Sequence, residues 1–488
     1  MNKSNKSNKS NIFPIAVMFL LFFMIAFVTN LAGSMGTIVK SQFGVSSALS
    51  QLGTFANFIA YAFMGIPAGI ILKRKGYKFT ALAAVIVGLV GVAIQWIAGP
   101  AESFAVYVAG AFVAGFSMCM LNVVVNPMLN TLGGGGNKGN QLCQFGGSCN
   151  SIGGTIAPIL VGYLVGGELR YATVGDAAPV MIIAMVVFAL AAIVIFFTNI
   201  PEPHKETEEE KQLRLSGKVQ KDKYSPLSFR HFLLGAVAIF FYVGVEVGIP
   251  NMANLYMTTY TVEQAQQTIT EYKHQQSDAD YLAQCQAEDE QAKKQKIKDY
   301  EAKVIDEDQY SLAISVSEGR SAEGLGFKAK LVGWLIGLYW LMMLVGRLIG
   351  GTIAGRVSSK KMLTTVSIMA IILLLSMMFI PSSVGVVLKG TKVPLSMVIM
   401  FICGLCTSVM WSSIFNLSVE GLGKYTPAAS GIFMVLVCGG GVIPLVQGFV
   451  ADSIGYTGSY VVTITALAYI LFYALVGSKN VNKDIKVD

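Results

Sequence analysis

Twelve long apolar runs constrain this chain more than any other feature, and two of them carry nearly the same phrase. The runs lie near residues 14–38, 48–72, 79–98, 104–131, 141–166, 178–198, 232–257, 330–356, 362–381, 394–419, 427–451 and 457–477. Each is long enough to cross about 30 Å of hydrocarbon as a helix. Buried backbone in lipid must satisfy its own hydrogen bonds, and continuous runs of this length exclude the short alternating strands of a barrel. Gly153-Gly154-Thr155-Ile156-Ala157-Pro158, with Gly162 four residues on, returns as Gly439-Gly440-Gly441-Val442-Ile443-Pro444 with Gly448, an offset of 286 residues. Gly65 and Gly69, before the basic run Lys73-Arg74-Lys75, map at the same offset onto Gly351 and Gly355, before Lys360-Lys361. Two matches at one offset predict a duplicated, all-α membrane protein of twelve transmembrane helices in two six-helix halves.

Composition agrees, with 54% hydrophobic and only 13% charged residues. The net charge of +8 raises the question of a nucleic-acid partner, and its distribution answers it. With the N-terminus placed in the cytoplasm, 22 Lys and Arg fall on inside segments and four, Lys40, Arg170, Lys389 and Lys392, in short outside loops. Such a bias is topological, so both termini are expected inside a bacterial plasma membrane, with no nucleic-acid partner. The basic start followed by an apolar run reads as an uncleaved first helix, because the run is too long for a signal peptide. Six of seven cysteines lie in the spans, so no disulfide framework is expected.

The expected organisation is an N-terminal half over 1–198, a cytoplasmic linker over 199–231 and a C-terminal half over 232–488. The first and seventh spans start about 218 residues apart, whereas later matched positions differ by 286. The difference marks an insertion between the seventh and eighth spans, the polar segment 258–329, predicted to be extracytoplasmic, helical and water-exposed with few apolar anchors.

Repeated halves with polar sites near the midplane are the construction of secondary transporters. Glu246 is an acidic residue deep in a span, where charge is costly and so marks function by default, and proton coupling is its expected role. Arg347 is its basic counterpart, read as structural or gating. Neutral hydrogen-bonding and aromatic groups suited to a sugar are Asn122, Asn126, Asn150, Asn251, Asn254, Tyr339, Trp340, Trp411, Asn416 and Gln447. Glycines four apart permit close helix contact, so Gly65, Gly69, Gly351 and Gly355, with Arg74, Pro158 and Pro444, are expected to be structural or gating positions. The three histidines lie outside the spans or at an edge, so neither a metal site nor a cofactor is expected. Gly133 to Gly136 lacks the ending of a phosphate loop and reads as a turn, and an enzyme is not expected.

The paired glycine and basic-loop pattern resembles the loop signature of the major facilitator superfamily. Leu121-Asn122 to Asn126-Pro127, Cys149-Asn150-Ser151-Ile152-Gly153, Tyr242 to Gly248 and Ile414-Phe415-Asn416-Leu417 are similar to segments of its fucose/proton and glucose/galactose symporters. That resemblance implies the major facilitator fold and alternating access, with a neutral hexose as substrate and a proton, or sodium, as coupling ion. It also implies a sugar-site role for Asn150 and an acidic residue at Glu246. Where fucose transporters carry an Asp in the first span and a Glu in the fourth, this chain has Gly33 and Asn122, neither able to carry a proton. Alternatives are an uncoupled facilitator, a symporter for an amino sugar, acidic sugar or disaccharide, a multidrug exporter with a more apolar cavity, and a non-transporting sensor. A monomer is expected in the lipid bilayer.

Overall fold

The computed structural model describes residues 4–133, 136–165, 174–202, 205–208, 211–212, 224–284, 305, 307–319, 321–353, 357–388, 390–422 and 425–481. The first half consists of α1 (Ser4–Gln42), α2 (Leu52–Lys75), α3 (Tyr77–Ile97), α4 (Phe104–Leu132), α5 (Gly136–Val165) and α6 (Ala178–Phe197). The second begins with α7 (Arg230–Thr258), α8 (Ala329–Ile353) and α9 (Ser359–Phe379). Next comes α10, in two pieces, Leu395–Thr407 and Met410–Val419. A short helix, Ser47–Ser50, joins α1 to α2, and a two-stranded antiparallel hairpin, Gly385–Leu388 with Thr391–Pro394, precedes α10.

Among the described residues, eleven helices are long and apolar enough to cross a membrane, the last running 47 residues over Gly431–Gly477. At 1.5 Å per residue that is about 70 Å, more than twice the hydrocarbon thickness. It is broken at Gly455, whose φ of 83° and ψ of 165° are left-handed geometry that glycine adopts without a side-chain clash. The element is therefore two crossings, α11 (426–454, interrupted at 437–438) and α12 (456–477), and the expected twelve are present.

Burial sorts the helices by role. In the most apolar window of each, 67% of α7 and 61% of α4 is buried inside the protein, against 33% of α6 and 28% of α9. α6 also has the highest hydropathy of the set, 3.2, and α9 follows the same logic at its surface, where Ile368, Ile372 and Phe379 are exposed. In lipid, apolar side chains lose nothing by facing outward, so α6 and α9 line the periphery while α4 and α7 carry polar groups inward.

The repeated glycine phrase has one structural meaning in both halves. A side chain at Gly153 would meet the Phe23 carbonyl of α1, and one at Gly154 would meet the Trp340 ring of α8. At the matching positions, Gly439 abuts the Phe240 carbonyl of α7, while Gly440 abuts Phe58 of α2. Thus α5 is pinched between α1 of its own half and α8 of the other, and α11 between α7 and α2. Toward the next turns, Gly162 meets Ala329 and Gly333, and Gly448 meets Ala48, so the same seams extend to the end of the bundle that carries the insertion. That end is called the insertion side here, and the opposite end, where α6 leaves the bundle and α7 enters, the linker side.

The second expected glycine stripe packs differently. A Cβ on Gly65 would come within 2.9 Å of Val435 of α11, but around Gly69 and Gly351 nothing lies within 4 Å, and Gly355 lies outside the described residues. Toward the linker side, the close glycine contacts of α8 are instead Gly346 and Gly350, which face Ser408 and Val409 at the interruption of α10. The insertion also departs from the expected solvated helix. Val262–Gln284 pairs with Glu307–Ser317 around a small core of its own, Tyr260, Ala265, Leu312, Ala313 and Val316, and Tyr272 stacks on Tyr310 at 4.2 Å.

Candidate functional site

Glu246 and Arg347, the acid and base that the sequence places deep in spans, meet between α7 and α8. Arg347 of α8 places Nη2 3.2 Å from Oε1 of Glu246 on α7, with the two side chains only 11% and 13% exposed. Its Nη1 reaches the other half, donating to the Gly147 carbonyl at 2.5 Å and the Ser151 hydroxyl at 2.9 Å, with Asn150 Oδ1 at 3.5 Å, all on α5. A guanidinium presents five N–H donors in a planar fork, which lets one side chain hold two helices at once. Burying either charge alone is strongly unfavourable, so each depends on the other and on the neutral acceptors around it. Asn150 extends the chain by donating to the Phe22 carbonyl of α1 at 3.2 Å. Tyr339 closes it from the other direction, its hydroxyl lying 3.2 Å from both the Glu246 carbonyl and Thr407 of α10.

Aromatic rings flank this cluster. Trp340 sits edge-on to Tyr339 at 5.6 Å, is 4% exposed, and its Nε1 donor has no hydrogen-bond partner. It lies over Gly154 beside the amide of Asn30, a residue of α1. Trp411 of α10 is half-buried and edge-on to Tyr242, one turn before Glu246. Alternating aromatic faces and neutral polar groups around a buried charge pair is chemistry suited to a polyhydroxylated ring.

The other expected residues are distributed along the seam. Asn122 donates to the Tyr61 hydroxyl of α2 at 3.0 Å, and Asn126 donates to the Asn122 carbonyl at 3.0 Å, a separate polar ladder on α4. Asn251 is buried against the other half, donating to Gln51 and Thr54, each at 3.2 Å, with its amide against Gly33. Asn254 lines a narrow cavity on the insertion side with Ser34, Thr37 and Thr258. Gln447 is fully buried inside its own half between Ser459 and Gly248. Asn416 is exposed in the second piece of α10, and Arg74 is exposed at the end of α2. Pro158 offers its carbonyl to Gly333 across the seam, and Pro444 packs near Gly248. The central group is therefore Glu246, Arg347, Asn150, Tyr339 and Trp340, flanked by Trp411. Sequence reasoning passed over Tyr61, Ser151, Gln51 and Thr54, whose residue types are common in helix packing; Asn30 was visible as an amide in the first span.

The insertion side is closed by its own network. Lys40, only 2% exposed, donates to Ser47 at 2.8 Å and to the Tyr456 hydroxyl of α12 at 2.7 Å, and Tyr456 pairs with Thr259 at 2.8 Å. Asp452 accepts the backbone N–H groups of Ser47 and Ala48 at 2.9 and 3.0 Å, tying the α1–α2 turn of one half to the α11–α12 junction of the other. A carboxylate on the free N–H groups at the start of the short helix Ser47–Ser50 is a strong, charge-assisted contact.

Known proteins match this architecture over nearly its whole length. The chain is 27% identical to a glucose/galactose transporter of Brucella abortus biovar 1 (strain 9-941) over 94% of this chain and 93% of that one. It is 21% identical to the L-fucose-proton symporter of Escherichia coli (strain K12), over 90% and 87% respectively. Among solved structures, the transporter FucP in its outward conformation superposes with a TM-score of 0.59 at 18% identity, covering 96% of this chain and 100% of the other, a likeness of fold. The model of the Major Facilitator Superfamily matches residues 17–270 and 308–485. With twelve helices in two duplicated halves and that match over most of its length, the chain belongs to the Major Facilitator Superfamily.

Proposed function

We propose that this chain is a sugar importer, a symporter that moves a neutral hexose with a proton through alternating access. The observation that carries this reading is the buried Glu246–Arg347 pair, set among Asn150, Tyr339 and Trp340 at the junction of the halves. Near-full-length similarity to a glucose/galactose transporter and an L-fucose-proton symporter supports the substrate class. A sugar gains from neutral donors and acceptors on several helices and from ring faces against its C–H side, while Glu246 supplies the one carboxylate that the centre can charge and discharge. The linker side is cytoplasmic in this reading, because the excess of Lys and Arg lies there, and the membrane is the bacterial inner membrane. The closed network on the insertion side then describes a carrier sealed toward the exterior.

Uptake of labelled glucose, galactose and fucose into proteoliposomes, with and without an imposed pH gradient and separately a sodium gradient, tests both parts. Accumulation driven by the pH gradient is expected for the wild type and is expected to be lost in Glu246→Gln. Retention of accumulation by that variant removes the coupling role, and failure of every sugar to compete removes the substrate class. A sodium-driven signal replaces the proton by sodium. The uncoupled facilitator is the second reading, favoured by Gly33 and Asn122 standing where fucose transporters carry acids. It predicts equilibration without accumulation under either gradient.

A further inference from the structure

The cavity on the insertion side is built from both halves. Ser34 and Thr37 of α1 and Asn254 and Thr258 of α7 supply its polar wall, each 9% exposed or less. Val161 of α5 and Val332 of α8 supply its apolar wall, and none of the described residues lining it is charged. Spacings of three and four residues set each polar pair on one face of its helix. The Thr37 hydroxyl donates to the Ser34 carbonyl at 3.2 Å and the Thr258 hydroxyl to the Asn254 carbonyl at 2.6 Å, so both keep lone pairs for a ligand. The Ser34 hydroxyl and the Asn254 amide have no hydrogen-bond partner among the described residues. An enclosed polar group without a partner is unfavourable, so these two call for a ligand or for water. We propose that the four side chains form an outer sugar subsite, separate from the centre, whose occupancy holds the insertion side open. This rests on the reading of the chain as a sugar carrier.

Donors from Asn254 and Ser34 and acceptors from all four side chains suit the neighbouring hydroxyls of a neutral sugar, while the valines suit its C–H side. Asn254 lies eight residues beyond Glu246 on α7, about 12 Å closer to the insertion side at 1.5 Å per residue, so a sugar held here leaves the centre free. In the sealed form the cavity leaves about 20 Å³ for water centres, room for one or two waters. A sugar ring is several times larger. Because the walls belong to opposite halves, the cavity reaches sugar size only when the halves part on this side. The Lys40 and Asp452 contacts that seal this side join the same two halves, so they stay broken while the subsite is filled. A ligand that binds one of two states shifts the equilibrium toward that state. Exterior sugar therefore loads the centre at low concentration and arrests the carrier in its open form at high concentration.

Counterflow tests this. In right-side-out membrane vesicles preloaded with sugar, the initial rate of labelled uptake is followed as exterior galactose, glucose or fucose is raised to saturation and beyond. For the wild type the rate is expected to pass through a maximum and then fall at least twofold. Raising interior sugar at fixed exterior sugar is expected to cause no such fall, because the subsite is too small for a sugar while the exterior is sealed. In Asn254→Leu, which keeps the bulk and removes the amide, the fall is expected to disappear while uptake at low sugar persists. Ser34→Ala gives the same result if Asn254→Leu fails to insert. A wild-type rate that saturates without falling assigns the cavity to water alone and overturns the proposal. A fall that persists in both variants, or that interior sugar reproduces, overturns it as well, and so does loss of uptake at low sugar in both, which would place these residues in the central site. Absence of counterflow with all three sugars in the wild type instead overturns the sugar reading beneath it.

Discussion

At the scale of single residues, the centre is defined by what each side chain can and cannot satisfy. Trp340 is almost fully enclosed with an unpartnered indole N–H, and a buried donor left without an acceptor is unfavourable by about 1–3 kcal/mol. A ligand hydroxyl would satisfy it. In Trp340→Phe the ring packing against Gly154 and Tyr339 is kept and only the donor is lost, so the apparent KM for the transported sugar should rise two- to tenfold, for a hydrogen bond of about 0.5–1.5 kcal/mol. Thermal stability in detergent should hold or increase; an unchanged KM would assign the indole to packing alone. Glu246 and Arg347 were individually legible in the sequence, because a charge within an apolar span stands out. Their pairing was not, since 101 positions separate them and only the α7–α8 contact brings them to 3.2 Å.

At the scale of elements, the seams between α5 and α8 and between α2 and α11 depend on missing side chains. A Cβ on Gly333 would come within 2.3 Å of the Pro158 carbonyl, with backbone rather than a movable side chain in the way. Gly333→Val should therefore force the helices apart and destabilise the sealed state by about 1–3 kcal/mol, the usual range for overpacking. A melting temperature that falls in the absence of sugar would show it, and an unchanged value would mean that the seam relaxes freely. The sequence announced this seam through the repeated Gly-Gly and Pro phrase, although not which helices it held together. The stripe at Gly69 and Gly351 looks equally suited to close packing in the sequence, yet both positions face open space, because spacing reveals a smooth face without naming a partner.

At the scale of the whole molecule, the insertion is built as a separable unit. The chain that follows it pairs back on the end of α7, Gly324 donating to Tyr260, Leu325 to Tyr256 and Phe327 to Met257, at 2.9, 2.8 and 2.7 Å. Its two described helices share a core that is distinct from that of the bundle. Excision of residues 262–320 leaves the ends at this closed base, and such sites tolerate deletion when little backbone bonding is lost. Sugar accumulation by the shortened protein should stay within about twofold of wild type, measured per copy in proteoliposomes, by the same loop-tolerance argument. A loss beyond tenfold would give the insertion a part in the transport cycle. Its length was evident from the break in the repeat offset, but its hairpin was not, because the contacts that build it are small residues such as Ala265 and Ala313 in a largely polar stretch.

Hydropathy and repetition alone determined that the chain crosses a membrane about twelve times as two related halves, because lipid imposes length and apolarity on every crossing and duplication preserves its glycines. Tertiary structure decided which polar residues converge. An amide in a helix is equally suited to bonding a neighbouring helix, as Asn251 does with Gln51 and Thr54, or to lining a centre, as Asn150 does beside Arg347. The difference lies in helix rotation and in contacts across the two halves, which depend on packing between segments hundreds of residues apart and leave no local trace in the chain.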